Sequence, residues 1–165
     1  MKSLSNREAV LARLDELDIP YELTEHPAVY TIADMEALGL LEQGEVCKNL
    51  FVRDNKGRQH FLVVAPEERA IDLKALATVL DSTRLSFASA ERLEKYLGVA
   101  TGAVSPFGVI NDGEHEVVVA LDAGLKGNPR IGVHPNDNTA TVWLAWDGLK
   151  KFIRAQGNEL RVVKL

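Results

Sequence analysis

Val46-Cys47-Lys48-Asn49-Leu50-Phe51-Val52-Arg53, then Asp54-Asn55-Lys56-Gly57-Arg58, then Gln59-His60-Phe61-Leu62-Val63-Val64-Ala65 is the stretch on which the fold turns. Its two outer runs are rich in β-branched and aromatic residues, which fit a pleated surface, and the five residues between them carry the Asp, Asn and Gly that reverse a chain. The stretch therefore predicts a β-hairpin. A sheet built on that hairpin needs apolar cover, and helix signals stand on both sides of it. Upstream, Ser5-Asn6-Arg7-Glu8 has capping-box spacing, Val10, Leu11, Leu14 and Leu17 recur at helical period, and Ile19-Pro20 stops the run. Residues 21–24 read as a strand, and residues 31–40 as a second helix with Thr31 as its cap and Gly39 near its end. Downstream, Asp72 caps a short helix through Leu80, and Ser89 opens another over residues 90–97 that Gly98 ends.

Beyond residue 98 the character changes to glycine-rich turns and short strands. Gly102-Ala103-Val104-Ser105-Pro106-Phe107-Gly108 is a loop by composition, and residues 109–110 and 116–122 read as strands around Asn111-Asp112-Gly113. Residues 130–133 and 139–145 form a further strand pair joined by His134-Pro135-Asn136-Asp137-Asn138. Asp147 caps a last helix to about residue 156, and residues 159–164 alternate like a closing strand. No internal repeat, low-complexity tract or linker interrupts this order. The expectation is a single domain over residues 1–165 of the α+β (mixed α/β) class, with a curved, largely antiparallel or mixed sheet flanked by helices.

The 165 residues are 46% hydrophobic and 26% charged, an ordinary globular balance. A chain of this length buries roughly 68–70% of the surface it exposes when unfolded, enough to close a core without a disulfide or metal staple. Cys47 is the one cysteine. Together with a start that lacks a basic segment followed by an apolar signal stretch, it points to a reducing, cytoplasmic compartment. No run approaches the ~18 apolar residues of a membrane span, so a soluble protein is expected. The formal charge of −5 hides an asymmetry: residues 1–47 carry 3 Lys/Arg against 10 Asp/Glu, residues 48–165 carry 16 against 14. Broad nonspecific nucleic-acid binding is disfavoured, while a local contact with RNA is not.

Several classes of chemistry lack their residues. The four histidines, His26, His60, His115 and His134, are scattered without HxH or HxxxH spacing, so no metal site is expected. Neither GxGxxG nor GxxxxGK[ST] occurs, and no cofactor is expected; GxSxG is absent too. Cys47 reads as a small buried hydrophobe rather than a thiol nucleophile. Lys48 is the anomaly. By period two it shares a face with Val46, Leu50 and Val52, while Cys47, Asn49 and Phe51 point the other way. It is either a gatekeeper on an edge strand or a fixed positive charge for a phosphate or a developing oxyanion. Asn49 is either a core-edge amide tying a loop or a second polar contact. The loop from Gly102 to Gly108 either simply turns the chain or lets backbone N–H groups approach a ligand. The loop from His134 to Asn138 is a polar hairpin or a pocket rim, and Trp143 and Trp146 read as corner packing.

Taken together, Lys48-Asn49-Leu50-Phe51-Val52, Gly102-Ala103-Val104-Ser105-Pro106-Phe107-Gly108 and Ile131-Gly132-Val133-His134-Pro135-Asn136-Asp137-Asn138-Thr139-Ala140-Thr141 resemble the YbaK/ProX family of aminoacyl-tRNA deacylases. These are free-standing relatives of the editing domain of bacterial prolyl-tRNA synthetases. The resemblance runs over nearly the whole chain and is greatest to the ProX branch, since the sequence has Lys-Asn rather than Lys-Thr and reads Val-Ser-Pro-Phe-Gly. It departs from the family in residues 40–45 and at Cys47, where polar or threonine residues are commoner. The resemblance implies hydrolysis of the ester joining a wrong amino acid, alanine, to tRNA(Pro), with prolyl-tRNA synthetase as a further partner. It makes Lys48 the essential catalytic lysine, and Asn49, Gly102, Ser105, Pro106 and His134 substrate-binding residues. It also implies that the terminal ribose of the tRNA helps to activate the attacking water. Such an ester is already activated, which suits a chain without triad or metal.

Overall fold

The computed structural model describes residues 6–165; Ser5, and with it the hydroxyl of the expected capping box, lies outside the described residues. The hairpin forms as its sequence predicts. Strand β2 (Glu45–Arg53) pairs antiparallel with β3 (His60–Pro66), Lys48 opposite Ala65 and Asn49 opposite Val64. The Asp54 carboxylate accepts the N–H of Arg58 at 2.8 Å and of Gln59 at 3.2 Å, so the loop's own acid closes the turn.

Outward from β3, β5 (Val117–Asp122) and β8 (Leu160–Val163) add in parallel. Outward from β2, β6 (Ile131–Val133) pairs in parallel at Glu45 and Val46 only, then β7 (Ala140–Leu144) and β1 (Glu22–Glu25) continue antiparallel. A two-residue strand, β4 (Ser86–Phe87), pairs with the far end of β2 at Val52 and Arg53. The order β1-β7-β6-β2-β3-β5-β8 with β4 beside β2 makes the sheet mixed. Parallel neighbours require long crossovers, and helices supply them.

Helices cover both faces, as β3 and β5, buried along their whole length, demand. On one face α1 (Asn6–Glu16), α5 (Trp146–Gln156) and a 3₁₀ turn at Pro106–Asn111 bring Leu14, Phe152 and Phe107 onto Val64, Val119 and Leu121. Phe107 and Phe152 meet edge to face at 4.8 Å. Helix α4 (Ala90–Leu97) extends that face, with Leu93 and Leu97 on Phe51, Leu62 and Val117. On the other face α3 (Leu73–Val79) sets Leu76 against Val52, Phe61, Val63 and Val118. Helix α2 (Ile32–Ala37) has the expected cap at Thr31, which Asp34 completes into a capping box, but Gly39 at φ 70 ends it early and a 3₁₀ turn at Leu40–Glu42 follows.

Two further expectations need correction, and one strand left no signal. Residues 109–110 lie in the 3₁₀ turn, not in a strand: Pro106 presets a helical φ and Ser105 Oγ accepts the N–H of Phe107, which overrides the β-propensity of Val-Ile. Helix α5 begins at Trp146 with Ala145 at the cap position, so Asp147 sits in the first turn instead of capping it. Strand β4 was too short to leave a pattern. Among the described residues no helix is long and apolar enough to cross a membrane.

Candidate active site

The sheet forks at β2. Glu45 and Val46 hold β6 on one edge and Val52 and Arg53 hold β4 further along it, so between them residues 47–50 pair with β3 alone. A cleft of about 330 Å³ opens at this place. Its wall comes from Cys47 and Asn49 of β2 and from Glu67 just past β3. The chain before and within α2 supplies Val29, Tyr30, Thr31, Ile32 and Met35. Thr101, Gly102 and Val104 come from the glycine-rich loop and His134 from the end of β6. A larger depression of about 560 Å³ beside α3 holds none of the residues singled out from sequence.

Three of the six expected site residues therefore meet in one place: Asn49, Gly102 and His134. The Asn49 Oδ1 is buried and has no hydrogen-bond partner among the described residues, an orphaned acceptor at the cleft wall. Gly102 has φ 96, a conformation that favours glycine, and a Cβ there would stand 3.3 Å from the Tyr30 ring. The His134 Nδ1 lies 2.9 Å from the carbonyl oxygen of Ala140; since a carbonyl only accepts, Nδ1 carries the proton and Nε2 keeps its lone pair. Burial, with His26 adding to it, outweighs the opposing pull of that hydrogen bond and of Asp137 and lowers the His134 pKa, so the ring is neutral at pH 7.

The polar loop after His134 is a brace. Asn138 Nδ2 donates to the Val29 carbonyl at 3.0 Å, tying the loop to the chain that leads into α2. Asn136, left-handed at φ 59 and buried, donates to the Phe107 carbonyl at 3.3 Å. Asp137 accepts from the backbone and hydroxyl of Thr139. The Asn and Asp residues thus serve turn geometry and cross-links, and His134 alone of this loop reaches the cleft.

The other three expected residues stand elsewhere. Ser105 and Pro106 are buried, and neither lines the cleft; they cap and start the 3₁₀ turn on which the glycine-rich loop rests. Lys48 leaves the strand on the face of Val46 and Leu50, between two cleft residues but not among them. It makes no hydrogen bond or ion pair among the described residues, yet its charge reaches the rim, where it pulls the Glu67 carboxyl down against the stronger upward push of burial. Burial also drives the Cys47 thiol far up and keeps it protonated, which agrees with a small core residue. Among the described residues no three His, Cys, Asp or Glu side chains converge to hold a metal ion.

Sequence reasoning missed Glu67. It follows Pro66, which ends β3 opposite Cys47, so the hairpin register already sets it beside the fork. It missed Tyr30, Ile32 and Met35 as well, because long-range contacts bring their segment over the cleft: the Asn138 side chain donates to the Val29 carbonyl, the Val29 N–H donates to the Asn138 carbonyl, and Val29 and Met35 pack with Val46 and Trp143.

Fold and cleft define a binding pocket at a fork in a mixed sheet, with polar groups converging on it and no ionised nucleophile. Residues 26–152 match the model of the aminoacyl-tRNA editing domain. The chain is 52% identical over 159 residues to the prolyl-tRNA editing protein ProX of Acetoanaerobium sticklandii, which covers 96% of this chain and 97% of that protein. It is 34% identical over 142 residues to the prolyl-tRNA synthetase associated domain-containing protein 1 of Danio rerio, covering 85% and 77%. A crystal structure provisionally described as a trans-editing enzyme for prolyl tRNA synthetase superposes with a TM-score of 0.73 over 99% of both chains, at 23% identity, and shows the same fold. The chain belongs to the aminoacyl-tRNA editing domain family, within its YbaK/ProX group, and is an aminoacyl-tRNA deacylase.

Proposed function

We propose that this protein is a trans-editing hydrolase that removes alanine from mischarged Ala-tRNA(Pro) in the cytoplasm. Residues 1–165 work as one editing domain on the acceptor end of tRNA(Pro), downstream of prolyl-tRNA synthetase. The observation that carries this reading is the cleft itself: about 330 Å³, narrowed by Val29, Ile32, Met35 and Val104, and walled with hydrogen-bonding groups at Asn49, Gly102 and His134. That volume and lining suit a small aminoacyl ester. Water adds to the ester carbonyl, the bond from the carbonyl carbon to the ribose oxygen breaks, and the water's proton ends on the ribose hydroxyl, giving free alanine and tRNA(Pro). Because the ester is activated, a placed water and a stabilised oxyanion suffice. Backbone groups near Gly102 are free of a Cβ on the cleft side and can approach the carbonyl. Asn49 orients the substrate, neutral His134 accepts a hydrogen bond at Nε2, and Lys48 supplies positive charge at the rim.

A panel of purified aminoacyl-tRNAs tests this. Ala-tRNA(Pro) is expected to be hydrolysed over many turnovers, Ser- and Gly-charged tRNA more slowly, and Pro-tRNA(Pro) left nearly intact because the ring is too large to seat its carbonyl. Size exclusion is the strong direction; a difference of one methylene is worth only ~1–3 kcal/mol, so the pocket alone does not reject Ala-tRNA(Ala). Release of proline refutes size exclusion, faster release of cysteine makes the substrate Cys-tRNA(Pro), and binding without turnover makes the protein a capture module.

A further inference from the structure

Every aminoacyl ester brings one cation with it. Its α-amino group, with an ordinary pKa of about 7.7–8.0, is largely protonated at neutral pH. A cleft that takes such a ligand out of water needs an acceptor for that charge. Glu67 is the one charged side chain among the residues that line the cleft. Its carboxylate has no hydrogen bond or ion pair among the described residues, and Lys48 acts on it only from beyond ion-pair distance. Its backbone is held firmly: the Glu67 N–H donates to the Val46 carbonyl at 3.0 Å, and the Arg69 N–H closes the turn on the Pro66 carbonyl at 2.9 Å. Asn49 Oδ1 and His134 Nε2, two further acceptors on the wall, are neutral.

We infer that Glu67 is the specificity-determining residue that receives the substrate's α-ammonium group, so that the cleft distinguishes an aminoacyl ester from an ester of the same size without the charge. The inference rests on the deacylase reading above. An α-hydroxyacyl ester offers the half-buried carboxylate one neutral O–H donor and no opposite charge, whereas an ammonium supplies both donor and charge; hydrogen bonds between two ionised groups are the strong ones. Burial raises the Glu67 pKa against the weaker pull of Lys48, so a cation placed against the carboxylate offsets a cost that Lys48 does not cover.

The probe is a pair of esters on the same tRNA, alanyl-tRNA(Pro) and lactyl-tRNA(Pro), which match in size and differ in ammonium against hydroxyl. Rates are corrected for the uncatalysed hydrolysis of each, and unfolding midpoints confirm that each variant is folded. The wild type is expected to prefer the alanyl ester. Glu67→Gln, nearly isosteric, should lower kcat/KM for the alanyl ester by about ten- to a hundredfold while leaving the lactyl ester within about twofold. Glu67→Asp, which keeps the charge at shorter reach, should retain more of the preference than Glu67→Gln. An alanyl-to-lactyl ratio unchanged by Glu67→Gln overturns the inference, whether both rates stay or both fall; an equal fall would mean that Glu67 acts through Lys48. A wild type that leaves both esters intact overturns the proposed function and this inference with it, an outcome distinct from an active wild type with an unchanged ratio.

Discussion

An ammonium in an otherwise apolar strand row is costly unless it is exposed or used. Lys48 is half-exposed and without an ion-pair partner among the described residues, so removing it deprives the fold of little. In the proposed reaction its charge, which reaches Glu67 at the rim, offsets the negative charge that develops as water attacks the ester. Lys48→Ala is therefore expected to slow deacylation of Ala-tRNA(Pro) by on the order of 10² or more, while urea midpoints barely move. Near-normal turnover in a folded Lys48→Ala protein would return the residue to the gatekeeper role. His60 shows the opposite case, a charge that the fold excludes. It is buried, stacks on Phe51 at 5.5 Å and Tyr96 at 4.1 Å, and accepts a hydrogen bond from Arg92 at Nε2. Burial first, then the Arg92 guanidinium, pushes its pKa from 6.5 to about 4. As pH falls through 6.5 the unfolded chain takes up a proton that the folded chain refuses until near 4. The stability held by neutral His60 is thus complete above 6.5 and lost on the way down to 4, by up to about 3 kcal/mol at 1.36 per pKa unit. Between pH 7 and 5 the wild type should lose stability that His60→Phe, whose ring keeps the stack, does not; parallel curves for the two proteins would refute the assignment.

Legibility changes at the scale of elements. Where one signal spans a whole element, as in the hairpin or in α4 between Ser89 and Gly98, local chemistry and tertiary structure agree and the sequence suffices. It fails where two local signals compete over a few residues. Val109-Ile110 carry strand propensity, but Pro106 and the Ser105 hydroxyl had already started a 3₁₀ turn, and Phe107 at its core fixes it against Phe152. The cleft was half legible. Asn49, Gly102 and His134 stand out by type, whereas Glu67, Tyr30 and Met35 enter through register and through the Asn138 to Val29 bond, which no local pattern encodes. Ser105 marks the difference between a motif residue and a contact residue: its hydroxyl is fully buried and spent on the Phe107 N–H. Ser105→Ala should therefore cost about 1 kcal/mol of stability, the ordinary loss of a cap, with kcat/KM for Ala-tRNA(Pro) unchanged at a temperature where both proteins are folded. A large kinetic loss without a stability loss would place the hydroxyl in substrate contact instead.

At the scale of the molecule the question is how a protein of formal charge −5 holds a polyanion. Acidic residues crowd the first 47 positions, from which α1, β1 and α2 are built, and Glu45, Glu67 and Glu68 line a groove next to the cleft, so one approach repels phosphates. Six basic side chains among the described residues are already in ion pairs: Arg7 with Glu25 and Asp137, Arg13 with Glu16, Arg69 with Asp122, Arg130 with Glu22, Lys150 with Asp147 and Arg161 with Glu159. A paired guanidinium must give up its carboxylate before it gains a phosphate, so these contribute little to RNA affinity. Twelve other Lys and Arg side chains of the described residues stand outside these ion pairs, but none of them lines the cleft, whose one charged side chain is Glu67. Binding should then rest on few phosphates, and uncharged tRNA(Pro) is expected to bind weakly, with a slope of log affinity against log salt on the order of −2 to −4 at about 0.7 per contact. A salt titration of that affinity measures the slope directly. A value near −8 would require most of the unpaired cations to meet phosphates at once, and it would move tRNA recognition from the aminoacyl end to the body of the nucleic acid.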